Sequence, residues 1–141
     1  MPFVLDCSVA VKWFVPEPLS PVAWRVLDAL RAGETPLFAP EIILAEFGHT
    51  LRKLVVRREL APDESKALLD DFLALDLVTV PVRPLAADAL RLCTAHMSTY
   101  YDALYMALAL REGVDLLTAD ERSARAFAPL GRVKLLGDLE R

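Results

Sequence analysis

From Tyr100 to Asp120 the chain reads Tyr-Tyr-Asp-Ala-Leu-Tyr-Met-Ala-Leu-Ala-Leu-Arg-Glu-Gly-Val-Asp-Leu-Leu-Thr-Ala-Asp. An acid, Asp102, stands at the front of an almost wholly apolar helix. A second, Asp120, lies just past a short apolar strand, Leu116-Leu117-Thr118. The run Ala103 to Leu110 is far shorter than the ~20 residues a bilayer span requires. It suits a helix covered by protein on most sides, with Gly113 as its stop. On a helical wheel the nearest neighbours of Asp102 are Ala109, Met106 and Tyr105, so Asp102 points where a core residue would point. A carboxylate there requires a partner, because burying an unpaired charge is expensive. Capping is the other reading. Thr99-x-x-Asp102 has the form of a capping box, and Asp120 before Glu121 and Ser123 has the form of an N-cap. Taken singly, neither acid decides between the two roles.

Working outward, short apolar strands alternate with helices. Phe3-Val4-Leu5 reads as a buried strand ended by Asp6, and a helix from Ser8 runs over Val9 to Phe14 until Pro16 and Pro18 stop it. Ser20-Pro21 opens a second helix to Arg31. Leu37-Phe38-Ala39 is the next strand, closed by Pro40. A long helix then runs from Glu41 to about Arg58, with Ile43, Leu44, Phe47, Leu51, Leu54 and Val55 on its apolar face. Glu46 lies at the edge of that face, and its stripe continues through Thr50, Lys53 and Arg57. Pro62 starts another helix with Leu68, Leu69 and Phe72 inward. The two helices are electrically lopsided, Thr50–Leu60 carrying +3 and Ala61–Pro81 carrying −4. Leu77 to Val80 is a third strand. Leu85 to Met97 is a helix with Ala86, Ala89, Leu90 and Cys93 inward. After Asp120 come a short helix, Glu121 to Phe127, and a last strand, Val133 to Leu136. This alternation predicts an α/β fold with a central parallel sheet covered on both faces.

At 141 residues the prior is one domain over 1–141. The chain is 55 % apolar, rich enough that some apolar surface is expected to lie under a partner. No signal peptide is expected, since Asp6 follows the first residues almost at once. Cys7 and Cys93 have neither metal-site nor redox spacing, and are expected to be reduced in the core of a cytoplasmic protein. A net charge of −4 argues against wholesale nucleic-acid binding and leaves local patches open.

In open α/β sheets ligands bind beyond the carboxyl ends of the strands, where strand order reverses. Asp6 follows the first strand and Asp120 the fourth. Asp102 starts a helix antiparallel to the strand it leads into, and Glu46 lies in the second turn of a helix that follows a strand. All four acids are therefore expected at one edge of the sheet. Unpaired carboxylates gathered there would repel and push their pKa values up. A hard divalent cation, Mg²⁺ or Mn²⁺, resolves this, and the matching chemistry is phosphodiester hydrolysis. Ser8 and Thr118, each two residues from an acid, are expected to support the acids or an ion-bound water, or else to act as ordinary caps. Lys53 and Arg57 are candidate phosphate contacts, or else part of a solvated helix face.

Val4-Leu5-Asp6-Cys7-Ser8, Glu46 in the helix after Pro40, Tyr101 to Ala109, and Leu116-Leu117-Thr118-Ala119-Asp120 together resemble the PIN-domain ribonucleases. The resemblance is nearest to the VapC-type toxins of bacterial toxin–antitoxin pairs, and it covers essentially the whole chain in order. It implies a PIN-like (Rossmann-like) three-layer sandwich with sheet order 3-2-1-4-5. It also implies a Mg²⁺-dependent endoribonuclease acting on RNA, usually a homodimer, silenced by a cognate antitoxin. Asp6, Glu46, Asp102 and Asp120 are the four acids so implied. One departure is Gly48-His49, where such proteins often carry an asparagine. Two rivals are weak. A receiver domain needs paired acids after the first strand, where this chain has one. A helical di-metal site needs a second Glu-x-x-His beside Glu46-x-x-His49, and His96 has Cys93 in the matching place. From another class, a PIN scaffold that binds RNA or protein without catalysis remains the alternative.

Overall fold

The computed structural model describes residues 1–140. Five parallel strands form one sheet: β1 (Phe3–Leu5), β2 (Leu37–Pro40), β3 (Val78–Val80), β4 (Asp115–Thr118) and β5 (Val133–Leu135). Their order is β3-β2-β1-β4-β5, the arrangement implied by the family resemblance. Between them run α1 (Cys7–Phe14), α2 (Ser20–Arg31), α3 (Ile42–Val56), α4 (Pro62–Leu73), α5 (Ala86–His96), α6 (Tyr100–Glu112) and α7 (Glu121–Phe127). The chain moves from β1 to β2 on one side and from β4 to β5 on the other, and since parallel crossovers are as a rule right-handed, helices are expected on both faces of the sheet. The strand order reverses between β1 and β4. There Phe3, Val4 and Leu5 pair with Asp115, Leu116 and Leu117, and the Asp6 amide extends the ladder to the Leu117 carbonyl at 3.0 Å.

Helix α6 is the centre of the fold. Ala103 through Ala109 are all buried, as an apolar run without a polar face requires. Each large side chain among them stabilises the fold by roughly 1.5–3 kcal/mol. Gly113 ends the helix in the left-handed conformation, φ 67°, where a residue with a Cβ is strained. On α1, α3 and α4, Phe14, Phe47 and Phe72 form an aromatic cluster. Phe47 stacks on Phe72 with ring centroids 4.2 Å apart, and Phe14 meets both rings edge-on. Such ring pairs contribute about 0.5–1.5 kcal/mol each beyond their burial. Phe47 is the neighbour of Glu46, so this cluster fixes the turn of α3 that carries the acid.

Several details differ from the sequence reading. Helix α1 begins at Cys7, directly after the Asp6 cap, and α3 stops at Val56, with Arg58 left-handed at φ 61°. On α5, Leu90 is 58 % exposed, not inward. The helix is turned so that Ala89 is buried and Leu92, Cys93 and His96 are half-buried. Cys93 is therefore at the margin of the core, while Cys7 is buried, and both are free thiols. Strand β3 is an edge strand with Val78 and Thr79 exposed, so the sheet is not covered throughout. No helix among the described residues is long and apolar enough to cross a membrane.

Candidate active site

The four acids come from four elements. Asp6 lies immediately after β1 and is 9 % exposed. Two hydroxyls hold its Oδ2: Ser8 Oγ donates at 2.5 Å and Thr118 Oγ1 at 2.9 Å. Each hydroxyl in turn accepts a backbone amide, Ser8 from Ala119 and Thr118 from Asp120, both at 3.0 Å. With those lone pairs occupied, the hydroxyl protons are directed onto Asp6. The turn after β4 thus orients the acid after β1.

Asp120 is the N-cap of α7, its Oδ1 accepting the amides of Arg122 and Ser123 at 2.9 and 3.4 Å. Thr99 caps α6 and accepts the Asp102 amide at 3.0 Å. Asp120 is thus an N-cap, as its segment suggested, while at α6 the bond present is the one from the Asp102 amide to Thr99, and the charges of Asp120 and Asp6 still act on Asp102. Glu46, half-buried on α3, accepts the Tyr105 hydroxyl on Oε1.

The electrostatics tie the four together. Burial pushes the Asp6 carboxyl up; the Ser8 and Thr118 hydroxyls pull it back, and the charge of Asp120 raises it again. Glu46 is raised by burial first and by Asp6 and Asp102, against the Tyr105 hydrogen bond. Asp102 is pushed up to about 6, by burial, then Asp6, then Asp120, with Thr99 and Arg122 opposing. Among the described residues none of the four is in an ion pair; the salt bridges are Lys12–Glu17, Lys66–Asp70, Arg91–Asp88 and Arg132–Asp115.

As the side chains are placed, no three carboxylate, imidazole or thiolate groups among the described residues are close enough to grip a metal ion. The donor chemistry nevertheless fits a hard dication. The donors are carboxylate oxygens from four elements; Asp6, Glu46 and Asp102 are raised by burial and by neighbouring acids, and hydroxyls that support them cannot neutralise them. A 450 Å³ cavity bounded by Arg125, Val133 and Leu135 is lined by none of the four acids.

Two residues of this site escaped the sequence reading. Tyr105 stood next to Asp102 on the helical wheel, and a buried tyrosine needs a partner for its hydroxyl; that signal was present. Arg122 follows Asp120 by two positions, and its charge acts on Asp102, so the acids are not without a nearby cation. Lys53 is exposed, and its charge acts on Cys7, the residue after Asp6. Arg57, one turn further, is exposed at the C-cap of α3. His49 is exposed.

An acid-lined edge at the reversal point of a 3-2-1-4-5 parallel sheet defines a class, and the family model described as PIN domain matches residues 3–128. The chain belongs to the PIN-domain family, and its relatives are of the VapC type. Ribonuclease VapC1 of Mycobacterium tuberculosis is 40 % identical over 101 residues, spanning 70 % of this chain and 73 % of that protein. Ribonuclease VapC12 of the same species is 32 % identical over 133 residues, 94 % of this chain and 98 % of the relative. Among solved structures, VapBC2 from Rickettsia felis, bound to a DNA fragment from its promoter, superposes with a TM-score of 0.69 at 19 % identity, over 96 % of this chain and 97 % of that one. That last likeness is one of fold.

Proposed function

We propose that this protein is a Mg²⁺- or Mn²⁺-dependent endoribonuclease, the toxin of a toxin–antitoxin pair, with Asp6, Glu46, Asp102 and Asp120 as ion ligands and catalytic acids. The observation that carries the reading is that Asp6, Glu46 and Asp102, from three elements, are each raised by burial and by the charge of a neighbouring acid while standing outside any ion pair. The ribonuclease names of relatives that span most of this chain supply the substrate class. Like charges facing one another across a crevice settle apart, and a dication between them would draw them in. When bound, it would polarise a phosphoryl oxygen and supply a water acidic enough to attack phosphorus near neutral pH.

The chain's own part is to hold donors and substrate. Ser8 and Thr118 orient Asp6, the α7 amides orient Asp120, and the Thr99 cap sets the start of α6. Lys53 and Arg57 bind phosphates along the strand, and the exposed Arg122 adds a positive charge at the other side of Asp102. The reading takes residues 1–141 as one domain in the cytoplasm. A cognate antitoxin and a second copy of the chain are its partners. Exposed Val56, Leu73, Leu90 and Leu110 offer them apolar surface.

Cleavage of a mixed RNA substrate with Mg²⁺, with Mn²⁺ and with EDTA tests the function. Cleavage that needs the ion and disappears in Asp102→Asn is expected. The spacing of the carboxylates favours a second reading, a PIN scaffold that binds RNA without cutting it. RNA binding unaffected by EDTA, with no cleavage under either ion, would establish that alternative.

A further inference from the structure

Glu46 is held differently from the other three acids. Asp6 is gripped by two hydroxyls, Asp120 by amides of its own helix, and Asp102 begins a capped helix. Glu46 lies in the second turn of α3 on a longer and more flexible side chain. Its support comes from the Tyr105 hydroxyl, which arrives from α6, 59 positions away in sequence, and donates to Oε1. Tyr105 is 1 % exposed, so its hydroxyl has no bulk water to turn to and requires an acceptor. The ring alone would fill the same core volume, which leaves the hydroxyl a task that packing does not set. Asp102 and Tyr105 stand three positions apart on one helix and so share a face. Helix α6 therefore sets Asp102 directly and Glu46 through the tyrosine.

We infer that Tyr105 is a positioning residue for the ion site, its hydroxyl fixing the Glu46 carboxylate so that Oε2 serves the ion shared with Asp6, Asp102 and Asp120. The inference rests on the proposed function and adds a residue that supports a ligand without being one.

Mn²⁺ binding to the full-length protein, followed by electron paramagnetic resonance, tests it. Tyr105→Phe is expected to weaken Mn²⁺ about 10–100-fold, the usual cost of losing a ligand's hydrogen-bonding partner. In a Glu46→Gln background the same change is expected to add less than about twofold, because the carboxylate it serves is already gone. An equal loss in both backgrounds would assign Tyr105 to packing and overturn the inference. So would unchanged affinity in Tyr105→Phe while the wild type binds. A wild type that binds no Mn²⁺ would instead sink the proposed function, and this inference with it. Should Tyr105→Phe fail to fold, ¹³C-tyrosine spectra of the wild type decide. The Tyr105 Cζ resonance is expected to move on Mg²⁺ saturation, and not in Glu46→Gln; a stationary resonance while Mg²⁺ binds would refute the role.

Discussion

Replacing Asp102 with asparagine separates the cost of gathering the acids from the benefit of the ion. In the folded chain the Asp102 carboxyl is pushed from 3.8 up to about 6. The folded state thus keeps the proton that the unfolded chain has lost, and stability falls as pH rises from about 4 to about 6 and stays low above. The full gap of about two pH units corresponds to roughly 3 kcal/mol. Because the crevice is half-open and water screens part of the interaction, we expect about 1–3 kcal/mol. Asp102→Asn removes that charge and keeps the cap, since Thr99 accepts the backbone amide of residue 102. In EDTA at pH 7.5 the variant is expected to melt about 3–10 °C above wild type, and the difference to vanish near pH 4. With Mg²⁺ at ~100 times its dissociation constant, wild type should gain about 2.7 kcal/mol and the variant little of it. Differential scanning calorimetry at the two pH values, with and without the ion, reads all four quantities. A variant less stable than wild type in EDTA at pH 7.5, or a gain that persists at pH 4, would refute the electrostatic account.

Other expectations follow from the same geometry. Alanine at both Lys53 and Arg57 should weaken single-stranded RNA binding and reduce its salt slope by about 1.4, at ~0.7 for each phosphate left without its cation, with Lys53 the larger share; an unchanged slope would return both to the solvated face. Thr118→Val removes the donor to Asp6 and the acceptor of the Asp120 amide together, and should cost about 1–3 kcal/mol in urea unfolding; a change below ~0.5 kcal/mol would mean water replaces both bonds. A peptide carrying an arginine- or lysine-rich tail should inhibit cleavage by entering the crevice, and raised Mg²⁺ should reverse it. Equal binding of that peptide to a chain with Asp6, Asp102 and Asp120 all changed to asparagine would exclude this site.

Residues near one another in sequence determined most of what could be read without coordinates. Short apolar runs ending in an acid marked β1 and β4, proline and glycine punctuated the helices, and the unbroken run after Asp102 announced a buried helix. These are local effects of backbone sterics and burial, legible in a window of a few residues. Sheet order came from likeness to a family, since strand neighbours are set by long-range pairing. Tertiary packing alone decided the rest. Periodicity shows that α5 has an apolar stripe, but its rotation depends on what it packs against, and that turned Leu90 out and Leu92 in. The same holds at the site, where Asp102 and Asp120 could each be read as a cap or a ligand from its own segment. Only the fold set Ser8 and Thr118 on one carboxylate and brought Tyr105 to Glu46, because a hydrogen bond between residues 59 positions apart exists only once two helices have docked.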